Sequence, residues 1–150
     1  MKEYKSFIPE ITLKFKTGEI AKAQIKSSKD AADYMRLMYD ADTLEITECF
    51  IAMFLNRVNN SIGWIKISQG GISGTVVDVR LILLTALKCG ASGIIVSHNH
   101  PSGNLNPSDA DIKMTQKIKN ASEIMDIHLL DHLIIVPGKE YYSFGDNGLL

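Results

Sequence analysis

Apolar residues follow two rhythms along this chain. "ITLKFKTGEIAKAQI" (Ile11 to Ile25) alternates apolar and polar positions about a Thr-Gly-Glu turn, which predicts a β-hairpin. "SSKDAADYMRLMYD" repeats apolar residues every three or four positions behind Ser27 and Ser28, either of which can cap a helix. "ECFIAMFLNRV" and "SIGWIKIS", joined at "NNS", predict a second hairpin. "QGGISGT" reads as a glycine-rich loop. "DVRLILLTALKCG" opens on a capping Asp78, stops at Gly90 and is apolar nearly all round, which predicts a buried helix. "GIIVSH" is a short apolar run of the kind found at the centre of a sheet. "SDADIKMTQKIKNASEIM" predicts another helix, "HLLDHLIIV" another strand and "EYYSF" a last one. Two hairpins with helices between them, then strand, helix and strand, predict an α/β (α+β) fold: a mixed sheet covered by helices. A single domain over residues 1–150 is expected, with a hairpin extension over 1–26 and a core over 27–150.

Composition narrows the partners. The 150 residues suffice to bury a core without staples. A net charge of -1 and a pI near 6.4 lack the basic excess of a typical DNA-binding domain, so nucleic acid is a partner that charge does not support. Cys49 and Cys89 form no C-x-x-C pair and sit in apolar runs, as small core hydrophobes do. "MKEYKSFIPE" has no signal core, and no apolar segment reaches membrane length. The expectation is a cytoplasmic protein without a membrane partner.

The densest chemistry lies in "VSHNHPSGNLNPSDAD", Val96 to Asp111. Residues two apart on a strand point the same way, so Ile94, Val96, His98 and His100 share a face with the histidines at its carboxyl end. Ligand sites of open α/β sheets collect there. An H-x-H pair also arises by chance, and the following helix sharpens it. Its apolar stripe is Met114, Ile118, Ala121 and Met125; Asp111 falls in the same sector and Asp109 on the opposite, solvated side. An inward carboxylate needs a partner, because an unpaired buried charge is costly. A divalent metal held by the two imidazoles supplies one. Capping is the other reading: Ser108 as N-cap and Asp111 at N3 form a near-capping box. The two are compatible, since one carboxylate oxygen can ligate while Ser108 caps. Two histidines and one aspartate leave a fourth position for water, the pattern of catalytic zinc sites. Zinc chemistry of that kind calls for a general base and an oxyanion stabiliser.

His98-x-His100-Pro101, six residues, then Ser108-x-x-Asp111 resembles the JAMM signature of the JAB1/MPN metallopeptidases. "HNHPSG", "PSDAD" and "LLDHLII" together are similar to the RadC subfamily, once named for DNA repair. The resemblance runs from about Glu48 to Leu150 and includes "GGISGT" and "YYSFGDNGLL". It implies a cytidine-deaminase-like α-β-α sandwich and zinc-dependent hydrolysis of an amide or isopeptide bond in a protein or peptide substrate. It implies His98, His100 and Asp111 as zinc ligands, Ser108 as the donor to the oxyanion, and Glu48 as general base, with Glu45 in reserve. Full-length RadC proteins carry a helix-hairpin-helix region ahead of this domain. Here a short segment with a predicted hairpin stands in that place, which weakens the expectation of DNA contact.

Other residues have plainer readings. Asp131 and His132 could orient a ligand imidazole from behind; strand polar groups bonded to backbone are the expectation. His128 reads as a strand-edge residue and Trp64 as packed on the second hairpin. Tyr141 and Tyr142 flank the last strand. Ser97 faces away from His98 and makes a poor nucleophile. The tripeptide His-Asn-His does not make an HNH nuclease, whose residues are dispersed. A zinc deaminase wants H-x-E and P-C-x-x-C, and neither is present. Two further classes remain beside the hydrolase: an accessory protein of DNA repair or mobile elements with a structural metal, and an interaction module with a degenerate site.

Overall fold

The computed structural model describes residues 7–12, 14–70 and 76–150. Their elements in chain order are α1 (Ser28–Arg36), β1 (Cys49–Leu55), β2 (Ser61–Gln69), α2 (Val79–Cys89), β3 (Gly93–Asn99), α3 (Asp109–Glu123), β4 (His128–Ile135) and β5 (Tyr141–Ser143). The five strands form one mixed sheet in the order β2-β1-β3-β4-β5. β1 pairs antiparallel with β2 and β3, β3 runs parallel to β4, and β5 returns antiparallel along β4. The apolar run of β3 is buried along its whole length because it lies at the centre and is covered on both faces.

The covers are helices. Ala31, Ala32 and Met35 of α1 close one face over Ile51, Met53, Leu55, Ile95, Leu133 and Ile135. Val79, Ile82 and Ala86 of α2 and Ile118 of α3 close the other over Phe50, Ala52, Phe54, Ile94 and Val96. The result is the three-layered α-β-α sandwich expected. Helix starts follow the capping residues: Ser27 accepts from the Asp30 N–H, Asp78 from the Arg80 N–H, and Ser108 from the Asp111 N–H. α2 ends on Gly90 at φ 65°, a left-handed conformation that costs glycine nothing.

Two expectations fail. The hairpin over Ile11–Ile25 does not form: among its described residues the only pairing is an isolated bridge between Gln24 and Asn60. Alternation makes a strand only when its apolar face finds a surface, and Ile11 and Phe15 stay 87% and 68% exposed. The end of the segment is held instead, by Ala23 and Ser61 bonding each other and by the Ile25 N–H donating to the Asn59 carbonyl. α2 is not buried all round, since Leu84 and Leu87 face outward at 62% and 53%. A helix on the outer layer of a sandwich has only one covered side. Trp64 lies on the second hairpin opposite Met53, partly exposed on edge strand β2. The glycine-rich loop lies mostly outside the described residues, at 71–75. No helix among the described residues is long and apolar enough to cross a membrane.

Candidate metal centre

β3 delivers the first two side chains. His98 lies in register with Phe50 of β1 and stacks on it, ring centroids 6.1 Å apart. His98 is therefore on the face covered by α2 and α3, with Ile94 and Val96, as the period-2 reading required. His100 follows just past the strand, still tied by its N–H to the Ile135 carbonyl at 2.9 Å. A turn closed by the Gly103 N–H on the His100 carbonyl, with Gly103 at φ 80°, returns the chain so that the Asn104 carbonyl meets His100 Nδ1 at 2.6 Å. The first turn of α3 then brings Asp111 in.

The three side chains converge. His98 Nε2 and His100 Nε2 are 3.0 Å apart. His98 Nε2 is 3.3 Å from Asp111 Oδ1, and His100 Nε2 is 3.6 Å from Asp111 Oδ2. One ligand atom from each residue lies within 4.8 Å of the others, so the group could hold a metal ion. Ligands of a tetrahedral cation with bonds of about 2.0–2.1 Å stand about 3.3–3.4 Å from one another. The observed separations bracket that value. Asp109 points to solvent, opposite Asp111, as the helical period predicts.

The capping reading of Asp111 holds. Ser108 Oγ accepts from the Asp111 N–H at 3.1 Å and Asp111 Oδ2 accepts from the Ser108 N–H at 2.8 Å, a complete capping box. The same carboxylate faces the imidazoles. Burial opposes its charge, but hydrogen bonds from His100 and His98 prevail and hold the carboxyl well below the usual carboxylate range. The hydrogen bond to Asp111 raises His100 above its ordinary value against the effect of burial, with smaller help from the Asn104 carbonyl and from Glu48. Both shifts have one cause, an anionic carboxylate held against the two imidazoles.

Glu48 immediately precedes β1. Extending the Phe50–His98 register by two residues sets Glu48 opposite His100, on the metal-centre face. It is half-buried, whereas Glu45 is exposed in the preceding turn. Ser108 is exposed at the start of α3.

In this neighbourhood Asn99 has a role the sequence did not reveal, and His132 takes the less expected of its two readings. Asn99, between the histidines, points to the other side of the sheet and is fully buried. Its Oδ1 accepts from the Cys49 N–H at 2.7 Å, and its Nδ2 donates to the Leu44 and Thr47 carbonyls at 2.7 and 2.9 Å. It thus fastens the turn that carries Glu48 to the strand that carries His98. His132 is not bonded to backbone through its ring, contrary to expectation. It sits behind His98, with His132 Nε2 2.8 Å from His98 Nδ1, and its Nδ1 is 2.6 Å from Thr115 Oγ1. The parallel pairing of β3 and β4 sets His132 beside Val96, one step from His98, and Phe144 stacks on its outer side at 4.5 Å. Burial, then repulsion from His98, keeps the ring uncharged, well below its ordinary pKa. Asp131 fits the plainer reading: its carboxylate accepts from the His132 and Gly145 N–H groups and the Ser143 hydroxyl. His128 is exposed at the start of β4, and Ser97 bonds Tyr39 on the far face.

A mixed sheet with two imidazoles at the end of a central strand and a carboxylate from the crossover helix defines an α/β domain with a candidate metal centre. The chain belongs to the family of RadC-like JAB domains, whose model matches residues 25–149. It is 50% identical over 127 residues to a UPF0758 protein of Flavobacterium johnsoniae, covering 84% of this chain and 53% of that protein. A UPF0758 protein of Aquifex aeolicus is 33% identical over 141 residues, covering 94% and 58%. The UPF0758 protein YfjY of Escherichia coli is 40% identical over 124 residues, covering 83% and 75%. The chain spans little more than half the length of the first two.

Proposed function

We propose that this domain is a zinc-dependent hydrolase of the JAMM type that cleaves an amide or isopeptide bond in a protein or peptide. The observation that supports the reading most is the convergence of His98 Nε2, His100 Nε2 and an Asp111 oxygen at the carboxyl end of β3. His98, His100 and Asp111 would hold the ion, which when bound supplies Lewis-acid activation of water and of the scissile carbonyl. Glu48, half-buried opposite His100, takes the proton from the attacking water and returns it to the leaving amine. Ser108 accepts from the Asp111 N–H, which leaves its own hydroxyl hydrogen free to donate to the developing oxyanion. Its position at the start of α3 adds the positive end of the helix dipole to the same task.

The test uses zinc-loaded protein and a library of peptides and isopeptide-linked lysines, with new amines read by mass spectrometry. Zinc-dependent cleavage is expected, and Glu48→Gln should reduce it about 10²–10⁴-fold while zinc stays bound. Cleavage that survives both zinc removal and Glu48→Gln would overturn the assignment.

A further inference from the structure

Behind the candidate metal centre runs a chain of hydrogen bonds that returns to its starting residue. Thr115 Oγ1 lies 2.7 Å from the Asp111 backbone carbonyl. Two oxygens at that separation require a hydrogen between them, and only the hydroxyl has one. Thr115 therefore donates to Asp111 and has only lone pairs to offer His132 Nδ1 at 2.6 Å, so that nitrogen carries the proton. His132 is fully buried, with aromatic rings of Phe144 and Phe50 against it and no carboxylate on its ring nitrogens. A cation there would be costly, so the ring is neutral and its Nε2 is an acceptor. His98 Nδ1, 2.8 Å away, must then be the donor. His98 is thereby committed to a proton on Nδ1, which leaves Nε2, the atom that faces His100 and Asp111, as the nitrogen on the metal side.

We infer that Thr115 and His132 are positioning residues that fix the tautomer and ring plane of His98, so that its Nε2 lone pair is presented to a divalent cation. His100 is set in the same sense from the other side, because the Asn104 carbonyl can only accept and fixes the proton on Nδ1. The relay is unusual in its closure: the helix that supplies the ligating carboxylate of Asp111 also supplies, four residues on, the hydroxyl that orients the ligating imidazole. A movement of α3 that displaces Asp111 would release His98 as well. Neither Thr115 nor His132 belongs to the group of three side chains that could hold an ion. Groups bonded behind metal ligands of this kind change affinity about 10–100-fold when removed.

The role of the relay in ion binding rests on the metal reading above, and the experiment separates the two. Long-range ¹⁵N–¹H correlation spectra of the metal-free protein should show both His98 and His132 protonated on Nδ1. Chelator competition should show zinc bound about 10–100-fold more weakly by Thr115→Val than by the parent. Thr115→Ser, which keeps the hydroxyl, should restore the affinity. An unprotonated Nδ1 on His98, or full affinity in a folded Thr115→Val protein, overturns the relay. If the parent binds no zinc, the metal reading fails, and the tautomer spectrum alone decides whether the relay exists.

Discussion

Asp111 joins two tasks that single substitutions can pull apart. Its carboxylate caps α3 and faces both imidazoles. Asp111→Asn keeps an amide oxygen to accept from the Ser108 N–H, so the helix cap should weaken by less than about 1 kcal/mol. The charge that favours a cation is lost, and zinc affinity should fall at least about 100-fold, as read by chelator competition. Ser108→Ala should do the reverse: lose about 1 kcal/mol of cap on denaturant titration, leave zinc affinity unchanged, and lower cleavage about 10²–10³-fold. The ligand candidates were legible from residue spacing because each rests on a local period, two along β3 and 3.6 along α3. Thr115 and Asn99 were not, and the orienting role of His132 was only the less expected of two readings, because their bonds join residues 17 to 55 positions apart. Thr115 had a trace of a signal, one turn beyond Asp111 on the same helix.

Elements matter here by what they hold in register. β3 carries ligands on one face and Asn99 on the other, where three hydrogen bonds tie the turn before β1. Asn99→Ala should strand a buried N–H and two carbonyls at about 1–3 kcal/mol for each group left without water, and chemical denaturation should show the loss. Because Glu48 follows that turn, the same variant should lose cleavage while retaining zinc. At the β4–β5 junction, burial raises the Asp131 carboxyl above its ordinary value despite its donors. A carboxyl raised in the folded state binds its proton more tightly there than in the unfolded chain. Its contribution to stability is present below about pH 3.8, the unfolded value, and is lost as pH rises through the folded value. Asp131→Asn removes that loss and keeps an oxygen for the two backbone donors. Denaturant titrations should therefore show the variant gaining on the parent as pH rises from acid to neutral. Element positions were largely readable from caps and apolar runs, since Ser27, Asp78 and Ser108 each start a helix. The hairpin over Ile11–Ile25 was misread, because alternation records a face and not the partner that the face needs.

The whole molecule places its chemistry where parallel strands end. β3, α3 and β4 form a crossover unit whose carboxyl end holds the candidate centre, with β1 bringing Glu48 from the antiparallel side. Three ligand candidates drawn from β3, the loop after it and α3 tie the central strand to an outer helix, so a bound ion should stabilise the domain globally. Zinc at 100 times its dissociation constant should add about 2.7 kcal/mol, seen as a higher Tm that a chelator reverses. The most direct single measurement is X-ray absorption at the zinc edge on protein reconstituted with one equivalent of zinc. Two imidazoles and oxygen donors at about 2.0–2.1 Å are expected, with no sulfur. Failure to retain the equivalent, or a sulfur scatterer at about 2.3 Å from Cys49 or Cys89, would contradict a centre built on His98, His100 and Asp111.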